Sequence, residues 1–205
     1  MARGFFDPRN SLWHWLGKVP EFFCLSLLWL LLSLPVLTLV PATVALYDTI
    51  VRKLRPDEKG LFRRFFTTFW KELGRGVLMS LFWLLLFALL LYCHWLLKAR
   101  APEDQTMAVL ALVYQITLLI PIAAFFWTIA LEARFYYGFW ELHRTALVFT
   151  LSYLPRSALV LLLGIAAFFG CWYLPPFLFL IPGIMMTLQS IPLDKAIQSL
   201  LPEET

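Results

Sequence analysis

Charge is scarce in this sequence. Asp, Glu, Lys and Arg make up 15% of the 205 residues and hydrophobic residues 61%, whereas a soluble domain is about a quarter charged and near half apolar. That balance excludes a disordered or collagen-like chain and nearly every soluble enzyme. Cysteine is also sparse. Cys24, Cys93 and Cys171 are an odd number, widely separated and without a C-x-x-C pair, which excludes a disulfide framework or a zinc site. The three histidines, His14, His94 and His143, fall in three regions with no ligand spacing. There is no G-x-S-x-G, H-E-x-x-H, P-loop or Rossmann glycine pattern, and Gly74-Arg75-Gly76 lacks a third glycine. No cofactor, metal ion or catalytic group is expected, and no paired base and nucleophile points to an enzyme.

What is present is long apolar runs. A helix rises 1.5 Å per residue, so about 20 apolar residues cross a hydrocarbon core of about 30 Å. Stretches free of Asp, Glu, Lys and Arg cover 22–47, 76–97, 105–131 and 157–193. The last is too long for one span, and Pro175-Pro176 divides it into 157–174 and 177–193. The expected fold is therefore all-α, one polytopic membrane domain over 1–205 with five transmembrane helices. Pro35 and Pro41 are expected to bend the first span, with Ser33, Thr38 and Thr43 meeting the freed carbonyls. Pro182-Gly183 is expected to kink or break the last. A cleaved signal peptide is disfavoured because the first apolar run is too long.

The formal net charge is +4. The basic residues cluster between apolar runs, which suits membrane topology and anionic headgroups, not nucleic acid. Counting Lys and Arg on alternate sides gives 5 with the N-terminal tail and 12 with the first loop, third loop and C-terminal tail. The positive-inside rule then places the N-terminus outside and the C-terminus in the cytoplasm of a cell (plasma) membrane.

Two segments between spans read as interfacial amphipathic elbows. In 61–75, Phe62, Phe65, Phe66, Phe69, Trp70 and Leu73 follow the i, i+3, i+4, i+7 rhythm, with Arg63, Arg64, Thr67, Thr68, Lys71 and Arg75 opposite. The second, 135–155, is looser and rich in aromatics such as Tyr136, Tyr137, Phe139 and Trp140. The first supplies a candidate cytoplasmic contact face of Arg63, Arg64, Phe66, Phe69, Trp70, Lys71 and Arg75, for anionic lipid or a partner; the plainer reading is a supporting helix. No ionisable residue lies at mid-depth in a span, which argues against a proton-coupled transporter. Asp48, Glu132 and Arg134 share one depth at the cytoplasmic ends of the first and third spans, so Arg134 is a candidate interfacial partner for Asp48 or Glu132. Gln115 is the most deeply placed strongly polar residue and reads as helix–helix glue.

Leu34-Pro35-Val36-Leu37-Thr38, Pro41-Ala42, Ala45-Leu46-Tyr47, Phe65-Phe66-x-x-Phe69 and Lys71 resemble the YesL family of bacterial membrane proteins, also called the domain of unknown function 624. Ala133-Arg134-Phe135 and Leu154-Pro155 are consistent with it, and Val40 stands where the family usually has glycine before the Pro-Ala step. The family's length of about 200 residues and five-span layout suit the whole chain. Its members occur mainly in Gram-positive bacteria, often encoded beside carbohydrate ABC importers, sugar-responsive two-component systems and glycoside hydrolases. The resemblance implies an accessory or scaffold role in carbohydrate uptake or sensing, with an importer or a sensor kinase as partner besides the lipid bilayer. It carries over no catalytic or ligand-binding residue. The alternative is a small solute transporter or an oligomeric pore.

Overall fold

The computed structural model describes residues 11–53, 60–100, 105–173, 179 and 181–198. The Pro175-Pro176 turn and the loop residues Arg55 and Lys59 lie outside them. All regular structure among the described residues is helical: α1 Ser11–Ser33, a 3-10 turn Val36–Thr38, α2 Leu39–Lys53, α3 Leu61–Arg100, α4 Gln105–Thr117, α5 Leu119–Glu132, α6 Phe139–Ser152, α7 Leu154–Tyr173 and α8 Ile181–Gln198.

Prolines set many of these boundaries. Pro41, Pro121, Pro155 and Pro182 each fall at the second or third residue of a helix. There the missing N–H has no intrahelical acceptor to lose and the fixed φ suits the first turn. The expected single span over 22–47 is therefore two helices. α1 ends at Ser33, Pro35 caps the 3-10 turn, and α2 starts afresh at Leu39. Two of the hydroxyls foreseen for this break meet its carbonyls. Ser33 donates to Leu30 O (3.0 Å) and the Thr38 hydroxyl lies 2.5 Å from Leu32 O and 2.7 Å from Pro35 O, whereas Thr43 bonds to Leu39 O (2.6 Å) within α2 itself. Pro182-Gly183 likewise begins α8 instead of kinking its middle.

Among the described residues three helical stretches are long and apolar enough to cross a membrane: Leu61–Arg100, Gln105–Glu132 and Leu154–Tyr173. Their outer faces suit lipid. Leu85, Leu89, Val109, Leu112, Ile116, Leu162 and Phe168 are all exposed, and a water-soluble monomer rarely shows so continuous an apolar surface. α8, with Thr187, Gln189, Ser190, Asp194, Lys195 and Gln198, is not among the three.

The first elbow is a correction. Residues 61–75 are not a separate interfacial helix; they are the first part of α3, which runs unbroken for 40 residues, about 60 Å or twice the hydrocarbon thickness. No proline interrupts it. Its Phe65 and Phe69 are buried, and the surface they meet is protein, not lipid. The second elbow corresponds to α6. Its first turn packs on Phe82 through Phe139, and its far end packs on Trp127 through Phe149 and Tyr153. Trp83, next to Phe82, meets Phe125, two residues from Trp127, so α6 packs against the same aromatic layer that joins α3 to α5.

α2 sits at the centre, with every residue from 40 to 50 buried. It runs antiparallel to α3: Val40 meets Ser80, Pro41 meets Gly76, and Asp48 meets Arg64 and Thr68. α5 and α4 run antiparallel to the rest of α3, through Arg75–Glu132, Trp83–Phe125 and Tyr114–Leu90. Two helix starts are capped from neighbouring helices. The Ser80 hydroxyl accepts the Val40 N–H (3.0 Å), and the Ser26 hydroxyl accepts the Gly183 N–H (2.9 Å), meeting donors that a helix leaves unsatisfied at its start.

Gly76 marks a close approach of α2 and α3. A Cβ there would lie 2.7 Å from Pro41 Cβ and 2.8 Å from its Cδ, atoms of a rigid ring, whereas one at Gly74 meets nothing within 4 Å. Glycine in a helix interior costs about 1 kcal/mol relative to alanine, while overpacking costs about 1–3 kcal/mol. Gly74→Ala is expected to raise the thermal midpoint of the detergent-solubilised protein, and Gly76→Ala to lower it. Equal gains from both would show that the helices do not meet at this point.

Candidate functional site

The charged residues of α2, α3 and α5 converge at one end of the bundle around a cavity of about 490 Å³. α2 contributes Val44 and Asp48. The start of α3 and the residue before it contribute Gly60, Leu61, Arg63, Arg64, Thr67 and Thr68, with Lys71 and Glu72 on the next turn. The end of α5 and the segment after it contribute Glu132, Arg134 and Tyr136. Gly60 enters α3 with φ +104°, a left-handed conformation that favours glycine.

Two ion pairs form the floor. Arg64 Nε lies 3.0 Å from Asp48 Oδ2, which also accepts from the Thr68 hydroxyl at 3.1 Å. Arg75 Nε lies 3.0 Å from Glu132 Oε1, and Arg75 also donates to the Tyr137 carbonyl. Glu132 is 8% exposed, and its Oε2 is buried with no hydrogen-bond partner among the described residues. Lys71 Nζ lies 3.9 Å from Glu72 Oε1 and 4.5 Å from the centre of the Tyr136 ring, within cation–π range. No group of three or more His, Cys, Asp or Glu among the described residues is placed to hold a metal ion.

The residues of the candidate contact face divide. Arg63, Phe66, Trp70 and Lys71 are exposed, with Phe62, Tyr136 and Trp140 also on the surface. Phe69 is buried, so it belongs to the core and not to a contact face; Arg64 and Arg75 are turned to Asp48 and Glu132. Asp48, Glu132 and Arg134, grouped as a candidate ion pair from common depth and opposite sign, line one cavity, where Arg64 pairs with Asp48 and Arg75 with Glu132. Gln115, read as interhelical glue, is exposed on α4. Sequence reasoning missed Thr68 and Glu72 as cavity residues. The signal was available: Arg64, Thr68, Glu72 and Arg75 recur at i, i+4, i+8 and i+11, a polar stripe beside the buried Phe65–Phe69 stripe.

Next to this end lies a buried aromatic cluster. His143 packs on Phe82, Trp83 and Phe139 at ring distances of 4.4, 5.6 and 4.6 Å. Its Nδ1 is 2.7 Å from Phe139 O, which assigns the proton there and leaves Nε2 buried and unpartnered among the described residues.

The α2–α3 hairpin is also where the chain meets known proteins. Residues 22–93 match the family described as protein of unknown function, DUF624. The match takes in α1 from Phe22 onward, the proline break, α2 and α3 as far as Cys93. It therefore contains the Pro41–Gly76 contact and both side chains of the Asp48–Arg64 pair, while Glu132 and Arg134 lie beyond it. No curated protein and no solved structure matches the chain.

Two predictions concern these groups. Arg75→Met leaves a nearly buried carboxylate without its partner, and is expected to destabilise the protein by about 2–3 kcal/mol. Adding Glu132→Gln should recover most of that loss in a chemical-denaturation double-mutant cycle, because no charge is then stranded; additive losses would show that the pair does not interact. For His143, burial, with Arg75 acting in the same direction, outweighs its bond to the Phe139 carbonyl and holds the imidazole below its ordinary value of 6.5. The unfolded chain then takes up the proton first as pH falls. Stability contributed by neutral His143 is full above 6.5 and declines below it. Thermal midpoints measured from about pH 7.5 to 5.5 should fall, and His143→Phe should flatten that slope.

Proposed function

We propose that the protein is an integral plasma-membrane accessory or scaffold component whose charged end docks a partner in the cytoplasm. In this reading α1 and α8 add to the three long apolar stretches to give five crossings. Two contacts support that addition: α8 is tied to α1 through Gly183 and Ser26 and to α7 through Gln189 and the Val160 carbonyl. The N-terminus lies outside, which puts the 12 Lys and Arg of the basic segments inside.

The observation that carries the docking role is the exposed aromatic and basic surface around the cavity. Trp70 is 67% exposed and Tyr136 74%, interleaved with Arg63 and Lys71, and Trp140, also 74% exposed, lies beside Phe82 further along α3. Aromatic and arginine side chains of this kind dominate binding energy in protein interfaces. The family resemblance points the partner toward a carbohydrate importer or a sugar-responsive sensor kinase. A role as an enzyme is not part of this reading. The second reading, an oligomeric pore or small solute transporter, draws on Gln115, a carboxamide exposed on α4 within a membrane-crossing stretch, where a second chain is the natural source of a hydrogen bond.

A single preparation addresses orientation and docking. In a variant without Cys24, Cys93 and Cys171, a cysteine at Glu103 should react with an impermeant maleimide on intact cells, and one at Asp57 only after lysis. Affinity purification in mild detergent should return an importer subunit or a sensor kinase, and Trp70→Asp with Trp140→Asp should cut that recovery about tenfold or more. External labelling at position 57 refutes the orientation. Solute uptake by liposomes holding this protein alone refutes the accessory role in favour of the pore.

A further inference from the structure

We propose that the cavity between the end of α2, the start of α3 and the end of α5 is a binding site for a phosphate ester, at the depth where lipid headgroups lie. The argument starts from charge. Arg63, Arg64, Lys71 and Arg134 line the space together with Asp48, Glu72 and Glu132. Of the carboxylates, Asp48 is engaged by Arg64 and Thr68, and Glu132 by Arg75, which approaches from outside the lining. Among the described lining residues four cations stand against three carboxylates, a balance that favours an anion.

Shape and donors point the same way. About 490 Å³ accommodates a phosphate with a small alcohol attached, within the usual range for small-molecule sites. Gly60 and Leu61 place the first turn of α3 at the wall, where unsatisfied amides and the helix dipole add to the pull on an anion. The Lys71 ammonium, held over the Tyr136 ring at 4.5 Å, is positioned at the edge as a point charge. Depth completes the case. Glu132, on the cavity wall, is also the last residue of the apolar stretch Gln105–Glu132, and the exposed Phe62 and Phe66 stand nearby on α3, as aromatic side chains do at a membrane interface. A phospholipid headgroup and a free organic phosphate share the recognised chemistry. This site shares Arg63, Lys71 and Tyr136 with the docking surface, whereas Trp70 and Trp140 take no part in it.

The test uses the full chain in nanodiscs of phosphatidylcholine, with and without phosphatidylglycerol, and with glycerol 3-phosphate added to the phosphatidylcholine discs. Native mass spectrometry counts retained lipid, and thermal midpoints report stabilisation. Retention of phosphatidylglycerol over phosphatidylcholine assigns a lipid source, and stabilisation by glycerol 3-phosphate a soluble one; either supports the site. Arg63→Gln with Lys71→Gln should weaken binding about thirtyfold, and Arg63→Gln alone, at an exposed position, about fivefold, with midpoints in plain phosphatidylcholine unchanged. Lys98→Gln with Arg100→Gln, at the opposite end of the same helix, should leave binding intact. No preference for either phosphate, or an equal loss from the Lys98–Arg100 pair, overturns the proposal.

Discussion

The structure depends on burying α2. Eleven consecutive residues, 40 to 50, are inaccessible, and a helix enclosed on all sides can persist only where its end groups find partners within the protein. Ser80 accepts the Val40 amide, and Arg64 and Thr68 hold Asp48 at the far end. Those partners all lie on α3, so the two helices must run at one register and almost in contact. Gly76 opposite Pro41 is the residue pair that permits this approach. Sliding α2 by one turn would put Pro41 under a side chain and separate Asp48 from its cation at once. The cavity therefore owes its floor to a contact some distance from it.

The same economy governs the other polar groups. Thr43, Thr49, Thr128, Thr150 and Thr187 each donate to the carbonyl four residues earlier in their own helix, which hides a hydroxyl without any neighbour's help. Where a donor or acceptor cannot be met locally, a single polar side chain crosses between helices. Trp127 donates to Ser157, which donates to the Thr150 carbonyl, and Gln189 donates to the Val160 carbonyl. Each crossing fixes one helix pair: α5 to α7, α7 to α6, α8 to α7. In a membrane, where apolar contact between helices differs little from contact with lipid, such bonds and close packing decide the arrangement.

The membrane character, the helical class and the coarse positions of the apolar stretches were legible in composition and run length. So was the convergence of Asp48, Glu132 and Arg134, because charged residues that end apolar runs on one side must share a depth. What periodicity could not supply was the identity of the surface that a stripe meets. Phe65 and Phe69 keep the same spacing whether they face lipid or α2, and only the tertiary structure distinguishes the two. Prolines misled for a related reason. Read within apolar runs, Pro35, Pro41 and Pro182 suggested bends in continuous spans; read as first-turn residues, Pro41 and Pro182 start new helices. Pro121, also in a first turn, carried the same unread signal for the start of α5. The caps from Ser26 and Ser80 had no sequence signature, because the capping side chain and the capped amide are far apart in the chain.

The unbroken α3 joins two environments. Its later part presents Leu84, Leu85, Leu89 and Leu91 outward, while its first part carries the cavity cations and the exposed aromatic residues. Among the described residues no proline or π-bulge interrupts it, and such features are the usual causes of a sharp kink. Alternating access needs helices that rock or break around a central site, yet here the ionisable groups gather at the ends of the apolar stretches and the threonine hydroxyls named above are spent on backbone carbonyls. In the proposed scaffold reading, this arrangement would hold a headgroup and a partner in constant geometry relative to the bilayer, which a monomeric carrier must give up.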